Sequence, residues 1–152
     1  MKTCSVSSPV GPLTIWATDG QIARLDWRRR PDSKALPPEL VAARDQLAEY
    51  FAGRRRAFDL PLAPRGSAFQ QDFYAALCAI PFGQTRTYGD LAGDLGVSAQ
   101  AIGQACGANP IPIFIPCHRV LAANGLGGFS GAGGVEAKVA LLKLEGAASL
   151  LI

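Results

Sequence analysis

The stretch Asn109-Pro-Ile-Pro-Ile-Phe-Ile-Pro-Cys-His-Arg-Val120 decides how the rest of the chain is read. It holds the single histidine, His118, directly after Cys117, one of four cysteines. The apolar run Ile113-Phe114-Ile115 before them predicts a short buried strand or extended segment. Pro116 has a fixed φ and no N–H, and it biases Ile115 toward extended geometry, so Cys117 leaves a stiff backbone. A thiol becomes a useful nucleophile when a neighbour stabilises its thiolate, and histidine is a common neighbour. A second reading stays open on these residues alone: Cys117 as a buried small hydrophobe, His118 as a satisfied polar side chain. On an extended segment consecutive side chains point to opposite faces, so the two would communicate through a bend or a water.

Upstream of this stretch the pattern is helical. Ser67 can cap a helix from Ala68 to about Ala79, with Phe69, Phe73, Leu77 and Ile80 on one face. Pro81 to Gln84 is a turn. Thr87 caps Tyr88 to Leu95, Gly96 closes that helix, and Ser98 caps another from Ala99 to about Gly107. Two short helices joined by a glycine-containing turn read as a helix-turn-helix or as a plain helical hairpin. The second helix contains Ala99, Gln100, Ala101 and Gly103, bears no charge and is built almost wholly of small residues. Major-groove reading asks for Arg, Asn or Gln aimed at base edges, whereas small residues suit a tight minor groove. A close helix–helix contact fits the same composition. Downstream, Leu126 to Gly134 holds five glycines, and Val135, Val139, Leu141, Leu142 and Leu144 predict the buried side of a last helix ending at Gly146.

The first third reads differently. Leu13 to Thr18, then Asp19-Gly20, then Gln21 to Trp27 alternate apolar and polar residues around a type I′ turn signal, predicting a β-hairpin. Residues 3 to 8 predict a further short strand. Leu40, Ala43, Leu47, Tyr50 and Phe51 follow helical spacing from Glu39 to Phe51. Leu60 to Gly66 reads as a linker. The fold class is therefore α/β (α+β): a small antiparallel sheet with one helix over residues 1–65, then a mostly helical, winged-helix-like unit over 66–152 carrying the helix-turn-helix and Cys117.

Bulk properties narrow the function. No apolar run approaches the ~20 residues of a membrane span, and the start lacks a signal-peptide core. The cysteines at 4, 78, 106 and 117 show no Cys-x-x-Cys spacing, and a single histidine leaves little for zinc. The expectation is a cytoplasmic, monomeric protein with reduced thiols, no metal and no cofactor. Residues 1–65 carry 11 Lys and Arg against 7 Asp and Glu, and residues 66–152 carry 4 against 5, so the half with Cys117 is not the basic half. Arg28-Arg29-Arg30 and Arg54-Arg55-Arg56 read as solvated ends of elements.

Asn109-Pro110, Pro116-Cys-His-Arg-Val120, Gly128-Phe-Ser-Gly131 and Leu141-Leu-Lys-Leu-Glu-Gly146 occur together and in order. With them the chain from about Phe69 to Gly146 resembles the O6-alkylguanine-DNA alkyltransferases, which repair alkylated DNA directly. The resemblance implies double-stranded DNA carrying O6-alkylguanine as partner, bound through the minor groove. It implies that Cys117 takes the alkyl group, that His118 accepts the thiol proton through a water, and that Glu145 orients and charges the histidine. Tyr88 matches the residue whose hydroxyl serves the flipped base. Ser130 matches a loop residue whose N–H faces the base oxygen, and Lys138 a lysine near that atom. Phe129 replaces the tyrosine common at its position. The carbonyls of Cys117 and Val120 would accept from the exocyclic amine, Asn109 would tie the recognition helix to the active-site backbone, and Arg119 would be an ion-pair partner. Each molecule would act once.

Three other functions remain beside this one: a non-catalytic alkyl-base sensor of the same fold, a thiol hydrolase or peroxidatic enzyme, and a helix-turn-helix regulator. One departure from the family separates positions that matter. Gln100 stands where the family usually places an arginine that enters the base stack; glutamine lacks the charge and the stacking plane. Gln100→Arg should therefore tighten duplex binding and speed repair of paired lesions. Added charge strengthens any DNA contact, so the deciding comparison is duplex against single strand. A gain confined to duplex supports a flipping role, and an equal gain on both substrates refutes it.

Overall fold

In the computed structural model, which describes residues 1–128 and 134–147, Asp19 and Gly20 have φ of 51° and 78°. Two successive positive φ values are what a type I′ hairpin turn requires. They join β2 (Leu13–Thr18) to β3 (Gln21–Asp26), and β1 (Lys2–Val6) pairs antiparallel with β2 in the register Lys2↔Ala17 to Val6↔Leu13. The sheet order is β1-β2-β3. Its inner face buries Cys4, Leu13, Ile15, Ala17, Ile22 and Leu25. Helix α1 (Pro38–Phe51) covers that face with Leu40, Ala43 and Leu47, and Pro38 fills a first-turn position where no N–H is needed.

The free edge of β3 is closed by the rest of the chain. Ile22 N–H donates to the Pro61 carbonyl at 2.7 Å, and Ala63 N–H donates to the Ile22 carbonyl at 2.8 Å. The stretch expected as a simple linker thus adds a parallel bridge, Ile22↔Leu62, to the sheet. Further along the same edge, Leu25 N–H donates to the Pro110 carbonyl at 3.0 Å. The hairpin therefore holds the loop that leads to Cys117. One hydrophobic core runs from Cys4 through Tyr50 and Phe73 to Leu141.

The helices of the second half start where their caps predict. Ser67 and Gln70 form a reciprocal capping box for α2 (Ala68–Cys78), as do Thr87 and Asp90 for α3 (Tyr88–Leu95). Gly96, at φ 68°, closes α3, and the Ser98 hydroxyl caps α4 (Ala99–Gly107). Helices α3 and α4 pack on each other as the helix-turn-helix. The two-residue strands β4 (Arg86–Thr87) and β5 (Val120–Leu121) pair in parallel, which sets the entry to α3 beside the cysteine turn. The architecture is thus the expected mixed α/β fold.

Two expectations need correction. Ile113-Phe114-Ile115 is a turn, with Ile113 at φ 74° and Ile115 N–H returning to the Ile111 carbonyl at 2.9 Å. A β-branched residue in the left-handed region costs on the order of 1–3 kcal/mol. All three side chains are buried, and burial of this apolar turn offsets the strain. Val135, expected on the buried side of α5 (Gly134–Leu144), is 43% exposed. The buried stripe is Ala137, Lys138, Leu141 and Leu142, continued by Glu145, and Val135 lies at its margin in the first turn.

Candidate active site

Cys117 is delivered by two successive tight turns. Pro116, at φ −80° and ψ 65°, is the centre of an inverse γ-turn closed by Cys117 N–H on the Ile115 carbonyl at 2.8 Å. A single 3-10 turn, Cys117–Arg119, follows and ends with Val120 N–H on the Cys117 carbonyl. The backbone is bent at the thiol, so the extended geometry expected there does not hold. Asn109 fixes this bend from the end of α4. Its side-chain oxygen accepts from Ile111 N–H and its amide donates to the Ile115 carbonyl, both at 3.0 Å. These two bonds tie the end of α4 to the backbone that leads into Cys117.

Glu145 comes from the other direction. Gly146, at φ 77°, lets Ala147 N–H reach the Leu142 carbonyl and Gly146 N–H the Lys143 carbonyl. This Schellman closure makes Glu145 the C-cap of α5 and aims its side chain inward. His118 Nε2 lies 2.7 Å from Glu145 Oε2, with both side chains fully buried. Arg119 Nε donates to Oε1 at 2.7 Å and Arg119 Nη2 to Oε2 at 3.1 Å, a two-point fork, while Nη1 donates to the Ile80 carbonyl at 2.7 Å. Burial would raise the Glu145 pKa, but the hydrogen bonds from His118, Arg119 and Tyr50 outweigh it and hold it at about 2. An ionised Glu145 accepts the His118 Nε2 proton. The other ring nitrogen, Nδ1, is buried with no partner among the described residues, which leaves it as a free proton acceptor.

Burial pushes the Cys117 thiol up to about 11, and the Asn109 amide and the Lys138 ammonium only partly offset this. Burial also lowers the His118 pKa, so both groups rest neutral near pH 7. Lys138 is wholly buried on α5. Its three N–H donors go to the carbonyls of Val120, Leu126 and Gly128 at 2.6, 2.5 and 3.1 Å. An ammonium has three donors and no more. Lys138 therefore has all three donors committed to these carbonyls, and it anchors residues 120–128 beside the cysteine turn. The Val120 and Cys117 carbonyls, expected to accept from a base, each already hold one internal partner and keep one lone pair.

Tyr88 opens α3 beside this group, half-buried over the Lys138 ammonium at 5.8 Å from ring centroid to Nζ. Gly127, at φ 71°, lets the backbone pass so close to the ring that a Cβ there would sit 2.8 Å from Tyr88. On α4, Ala99, Gln100 and Gly103 are exposed and Ala101 is half-buried, and Gly103 and Gly107 have open space around them. Among the described residues no helix covers that face of the small-residue helix, against the helix–helix reading for it. Phe129 and Ser130 lie outside the described residues.

Two nearby residues were not foreseen. Tyr50, read as part of the apolar face of α1, places its hydroxyl 2.6 Å from Glu145 Oε2. Tyr74 on α2 has a buried hydroxyl without a partner among the described residues and is close enough to Cys117 to feel its charge. No spacing in the sequence links residue 50 to residue 145.

The family model for the 6-O-methylguanine DNA methyltransferase DNA-binding domain matches residues 68–147, and that for the ribonuclease-like domain of the same enzymes matches residues 1–64. The chain belongs to this family. It is 43% identical over 151 residues to the methylated-DNA–protein-cysteine methyltransferase of Mycobacterium tuberculosis (strain H37Rv), covering 93% of this chain and 90% of that one. It is 39% identical over 154 residues to the constitutive enzyme of Bacillus subtilis (strain 168), covering 93% of each. The crystal structure of M. tuberculosis OGT in complex with DNA superposes with a TM-score of 0.84 at 40% identity, covering 95% of this chain and 93% of that one.

For this member of the 6-O-methylguanine DNA methyltransferase family, the buried carboxylate predicts an acid-sensitive fold. Glu145 titrates well below its ordinary 4.5, so its contribution is present above that value and lost as pH falls through about 2. His118 titrates below its ordinary 6.5, so the unfolded chain takes up that proton first and acid destabilises further. Glu145→Gln should lose about 3–5 kcal/mol at neutral pH, because it strands Arg119 as a buried unpaired charge. It should also lose the acid dependence between about pH 4.5 and pH 2. Urea unfolding midpoints against pH check both; parallel curves for the two proteins would show that Glu145 is not an ion in the fold.

Proposed function

We infer that this chain repairs DNA by direct reversal, moving the alkyl group of O6-alkylguanine onto the Cys117 sulfur. The observation that supports this most is the row of side chains at the 3-10 turn: a buried thiol, a histidine with one nitrogen free, and an anionic carboxylate on the other nitrogen. Family membership supplies the substrate class. The target oxygen lies inside the duplex, so the nucleotide is extruded into the pocket. The exposed small-residue face of α4 enters the minor groove, where close approach compensates for the lack of charge.

In the step itself, His118 Nδ1 takes the Cys117 proton through a water, and Glu145 stabilises the imidazolium. The thiolate attacks the alkyl carbon in line; the sulfur–carbon bond forms as the carbon–oxygen bond breaks. The electron pair stays with the guanine, and the Tyr88 hydroxyl donates toward the departing base. Lys138 stabilises the thiolate by its charge. Asn109 holds the turn that presents the sulfur. The thioether product has no route back, so each molecule acts once, without a cofactor. The setting proposed is the cytoplasm; no helix among the described residues is long and apolar enough to cross a membrane.

Incubation with an oligonucleotide carrying O6-methylguanine, followed by intact-mass measurement and peptide mapping, should place one methyl group on Cys117. Cys117→Ala should abolish transfer while keeping the fold and DNA binding. Transfer that survives with the label on Cys4, Cys78 or Cys106 would overturn the assignment.

His118→Ala should slow transfer by roughly 100-fold near neutrality, the usual contribution of proton-transfer help. Without the histidine the thiolate depends on bulk pH, so the residual rate should climb toward the Cys117 value of about 11. A variant with the same rate and pH profile as the unsubstituted protein would show that another group activates Cys117.

A further inference from the structure

The Glu145 carboxylate is shared more widely than orientation alone demands. The two-point fork from Arg119, itself held by the Ile80 carbonyl, already fixes its plane. Tyr50 Oη nevertheless donates to Oε2 at 2.6 Å, the same oxygen that takes His118 Nε2 at 2.7 Å. Tyr50 is 1% exposed and comes from α1, 95 residues away in the chain. Its ring is set by Phe51, Phe58 and Phe82, with centroids at 5.2, 5.2 and 6.4 Å. The hydroxyl is therefore delivered rigidly by the N-terminal half.

We propose that Tyr50 is a positioning residue of the proton relay, whose hydroxyl competes with His118 for Glu145 Oε2 and so limits the negative charge that the imidazole feels. A hydrogen bond to an anion is stronger than one between neutral groups, and every donor added to one oxygen lowers its basicity toward the others. The groups that face His118 are Cys117 and Arg119 on its own turn, Glu145 and Lys138 from the last helix, and, through Glu145, Tyr50 from α1. Arg119, Lys138 and burial disfavour the imidazolium, and Glu145 alone favours it. Tyr50 weakens that single favourable partner. The site is thereby kept as neutral thiol and neutral imidazole, which guards a single-use sulfur against oxidation, since the thiolate is the reactive form.

The proposal rests on the relay described under Proposed function, and its test separates the two. His118 is the single histidine of the chain, so its imidazole can be titrated by NMR in isotope-labelled full-length protein without assignment ambiguity. Tyr50→Phe keeps the ring and removes the hydroxyl; the His118 pKa should rise by about one pH unit. Phe58→Leu, which disturbs the same aromatic cluster without touching the carboxylate, should lower the melting temperature and leave His118 where it was. In single-turnover transfer, Tyr50→Phe should raise the plateau rate by up to roughly tenfold and move the acid limb upward with the histidine. An unmoved His118 titration in Tyr50→Phe, or an equal rise in Phe58→Leu, overturns the proposal. A His118 titration that rises only in Tyr50→Phe upholds it even if transfer is unchanged, and the relay assignment is then what fails.

Discussion

A buried carboxylate on four hydrogen bonds is the constraint on which this structure turns. Taking Glu145 out of water is costly unless its oxygens are fully paired. The donors that pair them come from α1 and from both residues after the cysteine, and Arg119 is in turn tied to the segment just beyond α2, where the Ile80 carbonyl accepts from its Nη1. Each of these segments can occupy its place only if the others do. The same ion, hydrogen-bonded to the His118 imidazole, holds the sheet half, the cysteine turn and the last helix in one arrangement.

Among the described residues, the buried positive charges outnumber this carboxylate. Arg119 and Lys138 give two positive charges against the one negative charge of Glu145, with Cys117 and His118 neutral at rest. The interior is thus one charge short of neutrality, and a thiolate at Cys117 would complete it. Lys138 does this without offering a donor, since its ammonium is consumed by three carbonyls of the loop that follows the cysteine. Loop geometry and sulfur electrostatics are set by one side chain.

This arrangement leaves little charge for the DNA-facing side. Of the four cations in residues 66–152, Arg119 and Lys138 are buried and Arg86 lies 2.6 Å from Asp94. The exposed arginines 28–30 and 54 and 56 belong to the other half. Two of those neighbours are held over rings instead, Arg30 at Trp16 and Arg56 at Phe82. The second half thus presents no basic face among its described residues, and α4 itself is uncharged.

Local chemistry was legible in the sequence wherever it sets backbone torsions. Asp19-Gly20 specifies a hairpin turn, Ser67, Thr87 and Ser98 specify helix starts, and Gly96 and Gly146 specify ends, because each acts on groups within a few residues. Asn109, Cys117, His118 and Glu145 stood out through the family resemblance of their motifs, and the structure brings them together. The turn at Ile113 was not legible, because an apolar run reads as a strand and only the Asn109 hydrogen bonds and the packed core hold an isoleucine at positive φ. Nor was the fate of Lys138, whose burial depends on three carbonyls far along the chain. Tyr50 was read only as a buried ring on a helix face. Its hydroxyl acquired a role because a carboxylate 95 residues later needed a donor inside the core, and such pairings are decided by which buried polar groups must be satisfied once the chain has packed.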